Sequence, residues 1–167
     1  MKGVLAYSTI SHLGLITLLL GLNSPLALVA AVFHIVNHAT FKASLFMATG
    51  IVDHETGTRD MTRLSGLRHA MPLTASLAMV SAAAMAGVPL LNGFLSKEMF
   101  FAETVFLDRA DPSHILLPLV AVVSSTLAVA YSLRFIMQVF FGPDATDLPR
   151  KPHEPPRWML LPSALLV

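Results

Sequence analysis

The sequence predicts an all-α protein, a polytopic bundle of transmembrane helices, and three observations carry that expectation. Of its 167 residues, 54% are hydrophobic and only 13% are charged, whereas a soluble domain is about a quarter charged. The mean hydropathy is +0.68. The apolar residues come in long runs rather than in amphipathic patches, and a run of about 20 spans a bilayer. The competing class, a soluble bundle with buried helices, does not require runs of that length.

Composition also excludes several chemistries. The chain has no cysteine, so disulfides, thiolate metal sites and a cysteine nucleophile are ruled out. Its net charge of +1 leaves no nucleic-acid footprint. No Ser/His/Asp arrangement, P-loop or Rossmann glycine pattern occurs. No cofactor, metal or catalytic residue is therefore expected.

The first span is expected over about 4–22. Lys2 before an apolar run also suits a signal peptide, but Ser8, Thr9, Ser11 and His12 interrupt the run and further spans follow. Asn23-Ser24-Pro25 marks a tight turn. The second span is expected over 26–52, closed by the charged stretch Asp53 to Arg68, within which Arg59 to His69 suits a short surface helix. Pro72 fits the first turn of the next helix. The apolar stretch 72–107 is too long for one straight crossing, and Gly87-Val88-Pro89-Leu90-Leu91-Asn92-Gly93 interrupts it. Proline lacks an N–H and clashes with the carbonyl four residues back. A broken helix is expected, with halves over 72–87 and 94–107. Such breaks survive at membrane depth only against protein or a wet cavity, and they mark binding sites in transporters. The alternative is a simple kink. Asp108 to Ser113 reads as a loop, 114–141 as the fourth span, and the proline-rich 142–157 as another loop. The apolar run 158–167 is half a crossing, which suggests a truncated piece of a longer chain. Lys2 shares its side with Arg59, Arg63, Arg68, Arg150, Lys151 and Arg157, whereas the opposite loops hold only Arg109. The positive-inside rule then puts the N-terminus in the cytoplasm, with the chain in the plasma (inner) membrane.

His34, His38 and Lys42 recur every four residues in the second span. Each is rotated by about 40° and displaced by about 6 Å from the last, so all three share one face, bordered by Asn37. Titratable groups within a span are expensive, and they usually line ion paths or proton relays. Histidine exchanges protons near neutral pH. Lysine joins such chemistry when burial disfavours its ammonium. Two other readings compete. His34 and His38 have the spacing of zinc ligands, but Ile35 stands where the zincin signature needs Glu. Polar residues can also simply glue helices together.

Lys97 and Glu98 follow the break. Lys97 lies one turn into the second half-helix, where freed carbonyls and water can hold its charge. Glu98 points about 100° away, to tune Lys97 or to face a partner. The alternative is that both are solvated near a membrane face. His12, in a polar patch, is either the start of the relay or an ordinary interfacial histidine. Arg134 reads as snorkelling, Glu103 as lying near the opposite surface, Asp53-His54-Glu55 as a solvated loop cluster, and Ala82 to Ala84, Ala86 and Gly87 as a close-packing face.

LAYSTISHLG (5–14), FHIVNHATFKASLFMATG (33–50) and GVPLLNGFLSKEMFF (87–101) resemble, in order and spacing, the antiporter-like subunits shared by respiratory complex I and the Mrp-type multisubunit Na+/H+ antiporters. STISHLG, the stretch 53–69, and Lys followed by Glu at 97–98 are most similar to the large A-type subunit of the Mrp antiporters. The complex I relatives more often carry Gln where His12 stands and Asp where Glu98 stands. The resemblance covers essentially the whole chain. It implies a fold of two inverted five-helix repeats, each with one broken helix, of which this chain is similar to the second: a partial proton-conducting membrane transporter domain over 1–167. It implies a central relay of His34, His38 and Lys42, with Lys97 as the terminal lysine facing the outer half-channel. The Glu–Lys pair of the first repeat has no counterpart here.

The function expected from residues and resemblance together is proton translocation coupled to Na+ (or K+) antiport, with protons passing along His38, His34 and Lys42 to Lys97. The expected partners are the other membrane subunits of a multisubunit complex, the lipid bilayer, protons and Na+ (or K+), with no nucleic acid. The bare chain is not expected to transport. One alternative is a proton-pumping membrane subunit of NADH-quinone oxidoreductase or of a membrane hydrogenase. Another is a structural membrane anchor.

Overall fold

The computed structural model describes residues 1–105 and 115–167. The expected Asp108–Ser113 loop, Arg109, His114 and the end of the third span lie outside them. The described residues form helices α1 (Lys2–Gly21), α2 (Pro25–Thr56), α3 (Leu67–Ala70), α4 (Pro72–Ala86), α5 (Asn92–Val105), α6 (Leu116–Phe140) and α7 (Arg157–Leu165). Among them, α1, α2 and α6 are each long and apolar enough to cross a membrane, and α4 is a shorter apolar helix.

Local chemistry sets these boundaries. Ser24 caps α2, its side chain accepting from Ala27 N, and Pro25 takes the first helical position, where its missing N–H is not needed. At the other end Gly57 adopts the left-handed conformation at φ 73°, which glycine reaches without strain. Helix α2 has 32 residues, about 48 Å at 1.5 Å per residue, so it exceeds the roughly 30 Å hydrocarbon core. Its last turn carries Asp53, His54 and Glu55 beyond the apolar run. Helix α4 starts at Pro72, and the Glu154 carboxylate caps it, accepting from Leu73 N and Thr74 N, both at 2.9 Å. An anion suits a helix N-terminus electrostatically as well as by hydrogen bonding.

Helix α2 is the centre of the bundle and packs against α1, α4, α5 and α7. One core joins Phe41, Leu45 and Ala48 of α2 to Ala78, Ala82 and Met85 of α4 and to Phe135 and Phe140 of α6. The α4 contribution is small because alanine lets backbones approach closely, the usual basis of helix association in lipid. Hydroxyls tie three helices together: Ser81 Oγ donates to Ser44 Oγ at 2.7 Å, and Ser44 and Ser163 share a bond of 2.7 Å.

The segment between Ala86 and Asn92 is not helical, so the helix is broken rather than kinked. Gly87 ends α4 at φ 87°, its N–H bonding Ala83 O and Ala84 O at 3.0 Å. Leu90 also has a positive φ, 75°. The two halves then meet closely. A Cβ added at Gly93 would lie 1.8 Å from the Ala84 carbonyl oxygen.

Two expectations about surface segments are corrected. The surface helix expected over Arg59 to His69 shrinks to α3. The Asp60 carboxylate turns the chain by accepting from Thr62 N at 3.0 Å, and Gly66, at φ 65°, donates its N–H to Phe141 O. The cluster Asp53-His54-Glu55 is not a solvated loop. It ends α2, and Glu55 is only 4% exposed. The 142–156 segment folds over it, with His153 Nε2 3.1 Å from Glu55 Oε2 and Arg150 N bonded to Thr56 O.

Candidate functional site

The face of α2 that carries His34, His38 and Lys42 turns inward. His34 is 2% exposed and Lys42 5%, while His38 is half-buried. Helix α1 lies across this face and inserts His12, which is 1% exposed, between the two α2 histidines. Its ring centroid stands 5.2 Å from that of His34 and 5.1 Å from that of His38. His12, read from the sequence either as the start of the relay or as an ordinary interfacial histidine, is buried against the rings of His34, His38 and Phe41.

A line of hydrogen bonds crosses four helices through this cluster. Tyr131 Oη of α6 lies 3.2 Å from His12 Nε2, His12 Nδ1 lies 3.0 Å from His34 Nε2, and His34 Nδ1 lies 3.0 Å from Ser96 Oγ of α5. Ser96 Oγ donates to Gly93 O at 3.2 Å. With both imidazoles neutral, each has one N–H and one acceptor nitrogen. The assignment that makes every bond therefore runs one way: Tyr131 donates to His12, His12 to His34, His34 to Ser96, and Ser96 to Gly93 O. His38 Nε2 is buried without a hydrogen-bond partner among the described residues, beside a ring that is fully engaged. A buried polar atom without a partner is unusual.

The two lysines close the ends. Lys42 Nζ donates to Ser8 Oγ and, at 3.2 Å, to Leu5 O. Lys97, 5% exposed, sends its Nζ to Ala86 O at 2.8 Å. That carbonyl belongs to the last turn of α4, which has no intrahelical donor to offer it. Gly87 leaves room for this contact, since a Cβ there would come within 2.8 Å of Lys97 Cδ. The break thus supplies both the oxygen that receives the ammonium and the space for its stem. Among the described residues neither lysine has a carboxylate within ion-pairing distance. There, each ammonium is held only by neutral oxygens.

The spatial order differs from the expected sequence of His38, His34, Lys42 and Lys97. Helix α2 fixes 34, 38 and 42 along its axis, and Ser96 sits on His34, so Lys97 adjoins the His34 end and Lys42 the opposite end. Glu98 is exposed and stands apart from the cluster, because one residue along a helix is a turn of about 100°. Three further contributors do not stand out in the sequence. Ser8 and Ser96 lie beside titratable residues that do. Tyr131 leaves a signal in hindsight, since a phenol in an apolar helix needs a partner for its hydroxyl.

Residues 1–128 match the family described as NADH:quinone oxidoreductase/Mrp antiporter, transmembrane. The chain is 70% identical, over its whole length, to a probable K(+)/H(+) antiporter A/B subunit of Rhizobium meliloti (strain 1021), of which it spans 17%. It is 43% identical over 99% of its length to the Na(+)/H(+) antiporter A1 subunit of Staphylococcus aureus (strain MRSA252), spanning 23% of that protein. It also superposes on a chain of the Mrp complex from Dietzia sp. DQ12-45-1b with a TM-score of 0.84, at 40% identity, covering 99% of this chain and 18% of that one. A chain of the membrane-bound sulfane sulfur reductase, an archaeal respiratory membrane complex, gives a TM-score of 0.85 at 30% identity, covering 96% and 26%. The chain therefore spans about a fifth of the curated relatives it matches. The buried histidine–lysine cluster, the broken helix and these matches agree: the chain belongs to the NADH:quinone oxidoreductase/Mrp antiporter transmembrane family, as a segment similar to the A-type subunits of Mrp antiporters.

Proposed function

We propose that this segment provides part of the path by which protons cross a membrane in exchange for Na+ or K+, within a multisubunit antiporter complex in the plasma membrane. The observation that carries the reading is one cluster of three histidines and two lysines inside the bundle, in which His38 alone is half-buried and Lys97 alone sits at the break between α4 and α5, with no carboxylate among the described residues on either lysine. Isolated cations are costly in the membrane interior and are retained where charge must move. In this reading protons pass between Lys42, His38, His12, His34 and, through Ser96, Lys97. Charge on one site raises or lowers the proton affinity of the next. Glu98 faces a neighbouring subunit or the bilayer. The N-terminus is cytoplasmic, by the loop charges. In this reading α1, α2, the α4–α5 pair and α6 are the four crossings of one partial transporter domain.

A second reading has one observation in its favour, the likeness to a chain of an archaeal respiratory complex: the same proton chemistry would then be driven by electron transfer. A structural anchor is the third.

Replacing both His34 and His38 by Leu, in the complete subunit within its assembled complex, separates anchor from path. Leucine is apolar and of comparable bulk, so an anchor keeps its packing. The path predicts that cation-driven proton flux falls by about a hundredfold, some 2.7 kcal/mol of barrier, in a complex that still assembles. Undiminished flux would sink the path and leave the anchor.

A further inference from the structure

A cavity of about 750 Å³ opens between the N-terminal half of α1 and the C-terminal half of α6. Its wall is mostly apolar, with Val4, Leu127 and Ala130 among its residues. The polar side chains set into it are Tyr7, Ser8, Ser11, Tyr131 and Arg134. Two of them are the hydroxyls that touch the buried cluster: Ser8 Oγ accepts from Lys42 Nζ, and Tyr131 Oη bonds His12 Nε2. We propose that this cavity is the aqueous access of the cluster, and that the Tyr131 hydroxyl is the relay through which His12 exchanges protons with its water. The proposal rests on the proton-path reading and adds to it a route and a residue.

Reach decides the route. His12 is 1% exposed and Lys42 5%, so water has almost no direct contact with either. The wall between them and the cavity is built from Ser8 and Tyr131. A hydroxyl both donates and accepts, so it passes a proton without net change. A hydrated proton in the cavity adds to Tyr131 Oη as the phenolic proton moves to His12 Nε2. His12 Nδ1–H then moves to His34 Nε2 at 3.0 Å, which leaves His12 neutral. Tyr131 and His12 each gain one proton and lose one, and the charge ends on His34. His12 is left as the other tautomer, with its proton on Nε2, so the line resets when the His12 imidazole turns over and the Tyr131 hydroxyl rotates back toward it. Arg134, one turn beyond Tyr131, is exposed and brings five N–H donors to the mouth, which favours water there over lipid. Tyr131 meanwhile closes the inner wall, so the histidines open to the cavity through one group. The cavity lies toward the end of the bundle that carries Lys2 and the 57–71 and 142–156 segments, the end that the loop charges assign to the cytoplasm.

Two variants of the complete subunit, in the assembled complex in everted vesicles, test this. Tyr131→Phe keeps the ring and removes the relay. It is expected to lower the maximal cation-driven proton flux at least about tenfold, roughly 1.4 kcal/mol of barrier, with the half-saturating cation concentration unchanged. A packing defect would instead lower the amount of assembled complex. Ser11→Cys, in a background without other cysteines, is expected to react with a charged, membrane-impermeant thiol reagent from the cytoplasmic side and to lose flux as it does so. An unreactive Cys in an assembled, active complex overturns the access route whatever Tyr131→Phe does. Flux within twofold of wild type in Tyr131→Phe, alongside a dead Lys97→Ala control, overturns the relay while the path stands. If the Lys97→Ala control is also active, the path itself has failed, and the proposal with it.

Discussion

Lys97→Ala in the complete subunit is expected to abolish cation-driven proton flux while the complex still assembles. The side chain fills a space fitted to it, against Gly87 and on Ala86 O at 2.8 Å. Alanine leaves a cavity beside an unpaired carbonyl, and losing a methylene stem in a core costs about 2–5 kcal/mol in stability, so assembly has to be measured alongside flux. Lys97→Arg separates charge from chemistry. A guanidinium keeps a cation near Ala86 O but is never deprotonated in proteins. An assembled complex with the cation present and no flux is the expected result. Flux at the wild-type rate in either variant would remove Lys97 from the path.

Gly93→Ala is expected to cost more stability than any other single methyl added to the described glycines. The new Cβ meets backbone, 1.8 Å from Ala84 O and 2.7 Å from Ala84 C, and neither half-helix can yield without disturbing the break. Overpacking of this kind costs about 1–3 kcal/mol, and more where the backbone must move. The complete subunit should lose several degrees of melting temperature, or fail to accumulate. Gly14→Ala is the control. Nothing lies within 4 Å of its Cβ position, and alanine is the better helix former by about 1 kcal/mol. Equal melting of the two variants would contradict the close approach of α4 and α5.

These effects trace to features that the sequence displays unevenly. The break is legible because Gly87, Pro89 and Gly93 each act locally, on φ, on a missing N–H and on steric room. The stripe of His34, His38 and Lys42 is legible because helical spacing alone puts i, i+4 and i+8 on one face. What those residues meet is not legible. His12 is 22 residues from His34, and Tyr131 is 119 from His12, so their pairing depends on how α1 and α6 cross α2. The same limit hides Glu55, whose burial is produced by His153 and the 142–156 segment. It also leaves Lys97 and Glu98 looking alike as neighbours, although one is enclosed and the other exposed.

The measurement that bears most directly on the central claim uses the wild-type complex with its full set of subunits, in everted vesicles from a host lacking other antiporters. A preformed pH gradient is followed while Na+ or K+ is added. Antiport predicts that one of these cations collapses the gradient, with no electron donor present. A gradient that neither cation disturbs, in a complex shown to be assembled and able to build one only when an electron donor is supplied, would contradict antiport and favour the electron-transfer-linked pump.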